Sequence, residues 1–337
     1  MFGSTYRRRL KMHTEHKKII EWALKCLISL GYTLKSNLPE KVLNTPWSYL
    51  VRFDTSDGLI YLKHTPELFA LEPKIIQVLH DQFHAPVPTV IAHNAELHCF
   101  LMKDAGKPLR EILKNKFDEA LLCRAIEQFT SLQIAVADHV DVFLDIGVPD
   151  YRLDKLSDLY KKLISQNELL IAEGLSEAEI DQLKELVPGI SNLCQKLSDY
   201  SIKQTMVQPD FNDNNTLIEL TEHEHQTITI IDLGEIVISH PFFSLFNCLE
   251  QIKKHHGLKD EEARYKKIKD VCFKHYINLF ESEEDFLKAI ATAQLLHLVY
   301  GISYQYRFML ACGKEKLIAF QHWKLRDLLK EFRAVKL

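Results

Sequence analysis

Asp210, Asn215 and Asp232 are the residues whose types and spacing suggest chemistry. They stand in Val207-Gln208-Pro209-Asp210-Phe211-Asn212-Asp213-Asn214-Asn215 and in Ile230-Ile231-Asp232-Leu233-Gly234-Glu235. Between them run two stretches of β-forming residues, Thr216–Leu220 and Thr227–Ile231, joined by the polar segment Thr221–Gln226. That pattern predicts a hairpin. If Thr216 pairs with Ile231, the next pair outward is Asn215 with Asp232, and opposed residues of such a ladder sit about 4.5–5.5 Å apart. The open end would gather an amide oxygen and a carboxylate, with Asp210 on the loop leading in. Such donors suit a hard cation, with a base beside it.

This is a constellation for phosphoryl transfer. Asp210 would take or aim the proton of an acceptor hydroxyl, and Asn215 and Asp232 would hold Mg²⁺ on nucleotide phosphates. A cation for the α/β-phosphates is also needed. Lys63 ends the alternating strand Leu59-Ile60-Tyr61-Leu62-Lys63, where a lysine can also simply face solvent. A carboxylate should fix it, and Glu72 at the start of a helix is best placed, with Glu67 as its competitor. Asp and Asn favour turns in any case. The second acid across the hairpin and the upstream lysine make the chemical reading the stronger one.

The elements that must position these groups follow from periodicity. Thr14–Leu30 carries an apolar stripe at helical spacing and stops at Gly31. Strands are expected around Val42-Leu43, over Trp47–Phe53, Leu59–Lys63 and Thr89–Ala92, and over His98–Met102. Pro73 opens a helix through Phe83. Residues 1–102 thus read as a small antiparallel lobe with one main helix. Residues 103–108 contain Gly106 and Pro108 and read as a hinge. Residues 109–337 are helical apart from the hairpin. Helices are expected at Arg110–Leu113, Glu119–Ala137, Leu153–Ser165, Ser176–Leu186, Ile190–Tyr200, Phe242–His256, Asp260–Phe280, Glu283–Met309 with a break at Gly301, and Lys314–Phe332. An irregular acidic stretch at 138–154 lies between two of them. The class is α+β, in two lobes.

The totals narrow the field. The chain has 337 residues, enough for two lobes around a cleft. Its net charge of −4 gives no field for polyanions, so no nucleic-acid partner is expected. The basic run Tyr6–Lys11 reads as a solvated, disordered terminus. No apolar run approaches the roughly 18 residues of a membrane span, and no signal-peptide core opens the chain, so no membrane partner is expected. Seven scattered cysteines without a Cys-x-x-Cys fit a reduced, cytoplasmic protein.

From about Trp47 onward the chain resembles the aminoglycoside phosphotransferase and choline kinase-like family, which has the protein-kinase-like fold. The family's loop His-x-Asp-x-x-x-x-Asn matches Gln208–Asn215, and its metal segment Ile-Asp-x-Gly/Asp/Glu matches Ile231–Glu235. Ile236–Leu245, with Ser239-His240-Pro241, is similar to the tract that follows in many bacterial members. The resemblance implies a small-molecule kinase using ATP, with GTP as the alternative, and Mg²⁺. The acceptor would be the hydroxyl of an aminoglycoside, amino alcohol, sugar-like compound or related metabolite. The protein would be a monomer or homodimer. Asp210 would be catalytic. Asn215 and Asp232 would bind metal. Lys63, Glu72, Ser48 and Met102 would line the nucleotide site. Two departures stand out. Gln208 replaces the family's histidine, which hydrogen-bonds the loop. Asn44-Thr45-Pro46-Trp47-Ser48 takes the place of a glycine-rich phosphate loop. A catalytically weak, nucleotide-binding scaffold or sensor is the first rival, and a protein kinase the second.

Other groups are secondary. Glu235 follows the metal segment and Tyr304 lies on a late helix, and both are candidates for the acceptor pocket. The acids Asp138, Asp141, Asp145, Asp150 and Asp154 read either as a face for a cationic acceptor or as a solvated loop. Glu222-His223-Glu224-His225 reads as a solvated turn, and His255-His256 as a helix cap.

Overall fold

Tyr49, Val51 and Phe53 recur at every second position and all three are buried. That is the pleat of a strand with one covered face. A computed structural model describes residues 2–36, 38–220, 226–313 and 324–334 of the chain. The strands β1 (Glu40–Asn44), β2 (Tyr49–Thr55), β3 (Gly58–His64), β4 (Val90–Asn94) and β5 (Cys99–Lys103) form one sheet in the order β1-β2-β3-β5-β4. Every neighbouring pair is antiparallel. Helix α1 (Phe2–Ser29) covers one face, burying Ile19, Ala23 and Leu27 against Val51, Phe53, Ile60, Leu62 and Leu101. Their four-residue spacing keeps them on one side of the helix. The helix starts at Phe2, ahead of the expected Thr14. On the other side, α2 (Glu72–Phe83) sends Ile75, Ile76 and Leu79 into the core of the second lobe, together with Phe100.

The connection after β5 is pinned. Gly106 has a φ of 106°, and a Cβ there would stand 2.3 Å from the carbonyl oxygen of Ile218. The two-residue strand β6 (Lys107–Pro108) then pairs with β8 (Thr216–Leu220), which pairs with β9 (Gln226–Ile230). The hairpin is thus the far wall of the connection between the lobes. A second small pair, β7 (Thr205–Val207) with β10 (Val237–Ser239), brackets it. Strands of three residues leave no periodic signal, so sequence periodicity does not reveal this pair.

The rest is helical: α3 (Leu109–Asn115), α4 (Glu119–Val136), α5 (Asp141–Asp145), α6 (Leu153–Ile164), α7 (Asn167–Ala172), α8 (Glu177–Glu185), α9 (Val187–Ser198), α10 (Phe242–His256), α11 (Ala263–Ile277), α12 (Glu283–Cys312) and α13 (Leu325–Ala334). Two expectations change. First, α12 runs without a break through Gly301, whose neighbours Tyr300 and Ile302 are buried and hold the helix from both sides. Second, the acidic stretch contains the short α5, and three of its acids form ion pairs: Asp138 with Lys203, Asp150 with Arg152 and Asp154 with Lys155. Part of the last expected helix, residues 314–323, lies outside the described residues, as does Glu222–His225. By length and composition α12 also suits a membrane crossing, but half of its most apolar window is buried inside the protein.

Candidate active site

The loop 208–215 leaves β7 and is fastened by its one large apolar residue. Phe211 is buried and stacks on Phe129 of α4 with ring centroids 3.7 Å apart. With Phe211 turned inward, Asp210 faces out. Its Oδ2 accepts from the Asn215 amide at 3.0 Å and its Oδ1 from the Asn212 amide at 2.9 Å. Asn215 also donates to the Asp210 carbonyl at 2.8 Å, which leaves its Oδ1 as the atom for a cation. The residue keeps access to solvent although protein atoms surround it. Desolvation there, and then the Asp232 charge, push its pKa up against the pull of the Asn215 and Asn247 amides. A raised pKa makes a stronger base.

The hairpin brings Asp232 to the site by a different register from the expected one. Thr216 pairs with Ile230, and the Ile231 N–H donates to the Asn215 carbonyl at 3.0 Å. Asn215 is therefore opposite Ile231, and Asp232 falls one residue beyond the ladder. It adopts a φ of 63°, in the left-handed region that a non-glycine residue seldom occupies. The strand pattern continues through Ile231 and does not reveal where pairing stops.

Three residues hold this turn. The Gln208 Nε2 donates to the carbonyls of Ile231 at 2.7 Å and Asp232 at 3.1 Å. Gly234 passes so close to the first lobe that a Cβ would lie 2.7 Å from the Phe69 carbonyl oxygen. The neighbouring Leu233 N–H donates to Glu72 Oε1 at 3.1 Å.

Lys63 joins the two lobes. Its Nζ is 2.7 Å from Glu72 Oε2 and 2.5 Å from Asp232 Oδ1. Lys63 and Glu72 are buried, while Glu67 is exposed, which decides between the two acids. Burial alone would lower the lysine pKa, but the Asp232 and Glu72 carboxylates outweigh it and keep the ammonium charged. The fork is made by β3, α2 and the turn after β9, three elements far apart in sequence.

The other expected residues are placed as follows. Ser48 is buried; its N–H donates to Thr45 Oγ1 at 2.9 Å and its carbonyl accepts from the Thr45 N–H at 2.8 Å. Two N–H groups of this loop are therefore already engaged. Trp47 beside it rests edge-on against Phe308 of α12, with centroids 5.5 Å apart. Met102 is half-buried on β5, opposite Tyr61 and Val90. Glu235 accepts from the Tyr304 hydroxyl. Burial, and then Asp232, push the Glu235 carboxyl up to about 8. Arg307, one turn beyond Tyr304, donates to the Glu235 carbonyl at 3.1 Å and to the Leu68 carbonyl at 2.9 Å, tying α12 to both.

Sequence reasoning missed Asn247, Ser244, Arg110 and the role of His256. Ser244 and Asn247 of α10 grip the loop at Gln208 and Phe211. His256 lies in the last turn of α10, as expected, and also contacts Asp213. These partners are tens of residues apart and belong to no local pattern.

Among the described residues no three His, Cys, Asp or Glu side chains converge on one point. A cation here would take one carboxylate, that of Asp232, and the Asn215 amide oxygen. Its remaining positions would be left to phosphate and water, which is the habit of Mg²⁺ rather than of an all-protein cage. The donor set fits.

No family model and no curated protein matches the chain. Solved structures do. An amicoumacin kinase in complex with AMP-PNP and Ca²⁺ aligns with a TM-score of 0.57 at 14% identity, over 95% of each chain. A macrolide 2'-phosphotransferase type I aligns with 0.57 at 13% identity, over 89% of this chain and 94% of that one. The GDP complex of wild-type aminoglycoside 2'-phosphotransferase-IIIa aligns with 0.55 at 14% identity, over 94% and 98%. The chain has the fold of these enzymes, a small antiparallel lobe and a larger helical one.

Proposed function

We propose that the chain is an ATP-dependent phosphotransferase, with GTP as the alternative donor, acting on a hydroxyl group of a small molecule. The observation that carries this reading is the Lys63 ammonium held between Glu72 and Asp232, with Asp210 and Asn215 across the turn. A nucleotide scaffold needs the lysine, but has no use for a base of raised pKa beside the metal carboxylate. The acceptor class is that of the kinases sharing the fold, whose names speak of aminoglycosides, macrolides and amicoumacin.

In this reading residues 1–102 bind the nucleotide, 103–108 are the hinge and 109–337 hold the acceptor. Lys63 sits on the α/β-phosphates, and Ser48 and Met102 complete the nucleotide side. Mg²⁺ held by Asn215 and Asp232 would neutralise phosphate charge. Asp210 aims the acceptor hydroxyl and takes its proton as the oxygen bonds to phosphorus and the bond to the departing diphosphate breaks. Glu235 and Tyr304 line the acceptor side. Such catalysis is positioning and charge stabilisation, which suits a cleft built from both lobes. The seven free cysteines favour a reducing, cytoplasmic setting.

The test is nucleotide consumption with Mg²⁺ over panels of aminoglycosides, macrolides, amino alcohols, sugars and nucleosides, using the wild type and Asp210→Asn. One acceptor class should give turnover, and Asp210→Asn should lower kcat by roughly 10²–10⁴ while Mg-nucleotide binding persists. Equal turnover in the two proteins would remove Asp210 from the chemistry.

A further inference from the structure

Behind the loop lies a buried set of charges that phosphoryl transfer itself does not use. Arg110, on the first turn of α3, donates from Nε to Asp213 Oδ1 at 2.9 Å and from Nη2 to Asn212 Oδ1 at 2.9 Å. Its backbone N–H donates to the Asp213 carbonyl at 3.0 Å. From the opposite side, His256 at the end of α10 places Nε2 2.6 Å from Asp213 Oδ2. A carboxylate only accepts, so this nitrogen carries the proton. The Asp213 side chain has no exposed surface, and that of His256 has 4%.

The set reaches the reacting group in one step. Asn212 accepts from Arg110 on its oxygen and donates from its nitrogen to the Asp210 carboxylate at 2.9 Å and to the Asp210 carbonyl at 2.8 Å. Asn212 Oδ1 also accepts from the Asn214 N–H at 2.8 Å, which shapes the stretch before Asn215. The loop has no proline or glycine from Asp210 to Asn215 to set its course. Ionic hydrogen bonds set it instead.

We propose that Arg110, Asp213 and His256 are positioning residues: a buried clamp, between the end of the hinge and α10, that sets the direction of the Asp210 carboxylate through Asn212. This rests on the reading of Asp210 as the base. A surface ion pair would have no such reach, but a buried one with both partners hydrogen-bonded fixes geometry strongly and is costly to break.

The experiment uses the full chain and compares Arg110→Ala, His256→Ala, His256→Gln and Asp210→Asn. Each is assayed for kcat, for KM of Mg-nucleotide, and for amide hydrogen exchange over 208–216. Arg110→Ala and His256→Ala should lower kcat about 10- to 100-fold with KM changed less than about twofold, since misplacing a reacting group by about 1 Å costs that order. Exchange over 208–216 should rise in both. His256→Gln keeps an N–H donor and should recover most of the kcat and the slow exchange. If Arg110→Ala is too unstable, the His256 pair carries the test alone. Wild-type kcat and exchange in His256→Ala, with Asp210→Asn inactive, would overturn the clamp while sparing the base. A kcat loss that merely tracks the unfolded fraction, with no recovery in His256→Gln, would overturn it too. Full turnover in Asp210→Asn would overturn the reading of the base, and the clamp with it.

Discussion

Gln208 holds Asp232 by its backbone and not by its charge, its Nε2 donating to the carbonyls of Ile231 and Asp232 at 2.7 and 3.1 Å. A side-chain amide has two N–H groups on one nitrogen and can serve both carbonyls, whereas an imidazole nitrogen has one. The glutamine therefore does more than a histidine at this position could. It fixes the left-handed turn that carries Asp232 beyond the ladder.

Removing that amide should be felt in both stability and rate. Gln208→Ala leaves two carbonyls without a donor and should cost about 1–3 kcal/mol. It should also lower kcat, because Asp232 loses its backbone latch. Gln208→His should recover part of each, with one bond restored. Urea unfolding and steady-state turnover give the two numbers, and a silent Gln208→Ala would show that the turn is held by Gly234 and Leu233 alone.

The Lys63 fork predicts unequal effects from its arms. Lys63→Met strands the buried Glu72 and should cost roughly 3–5 kcal/mol, with nucleotide binding lost. Asp232 is 37% exposed at its side chain, so Asp232→Ala should be far milder in the absence of ligand. What it should abolish is the Mg²⁺-dependent rise in Tm given by ATP. Retention of the whole rise would take the cation away from Asp232.

Glu235 makes stability depend on pH. Its carboxyl lies at about 8, above an ordinary value of 4.5, because of burial and the nearby Asp232. A group raised in the folded state lends its stability below the unfolded value and withdraws it as pH climbs through the folded one. Relative to Glu235→Gln, the wild type should lose stability between about pH 4.5 and pH 8. Tm of both proteins at intervals from pH 5 to pH 9 measures this, and a constant offset between the two curves would exclude Glu235 as the titrating group.

Much of this was legible in the chain. The strands of the first lobe follow from alternating residues and turn signals, and all five occur. Lys63 and Glu72 were visible as a strand end and a helix start, and they meet. The hairpin was visible, but its register was not. Pairing depends on where the ladder ends, and Asp232 ends it by a backbone conformation that a β-branched run does not announce. The Arg110–Asp213–His256 set was invisible for a different reason. Its members are individually ordinary, and only the fold makes them neighbours. His256 read locally is a cap; read in three dimensions it grips the loop.

The turn at Thr45–Ser48 has one more consequence. A glycine-rich flap gives up much backbone freedom when it closes over a ligand. This turn contains no glycine, already has its own hydrogen bonds and leans through Trp47 on Phe308 of the opposite lobe. Little disorder remains to be lost when a nucleotide docks. If the chain binds a nucleotide as proposed, its affinity should depend mainly on the Lys63 charge, and calorimetry should show a rigid mould and not a closing lid.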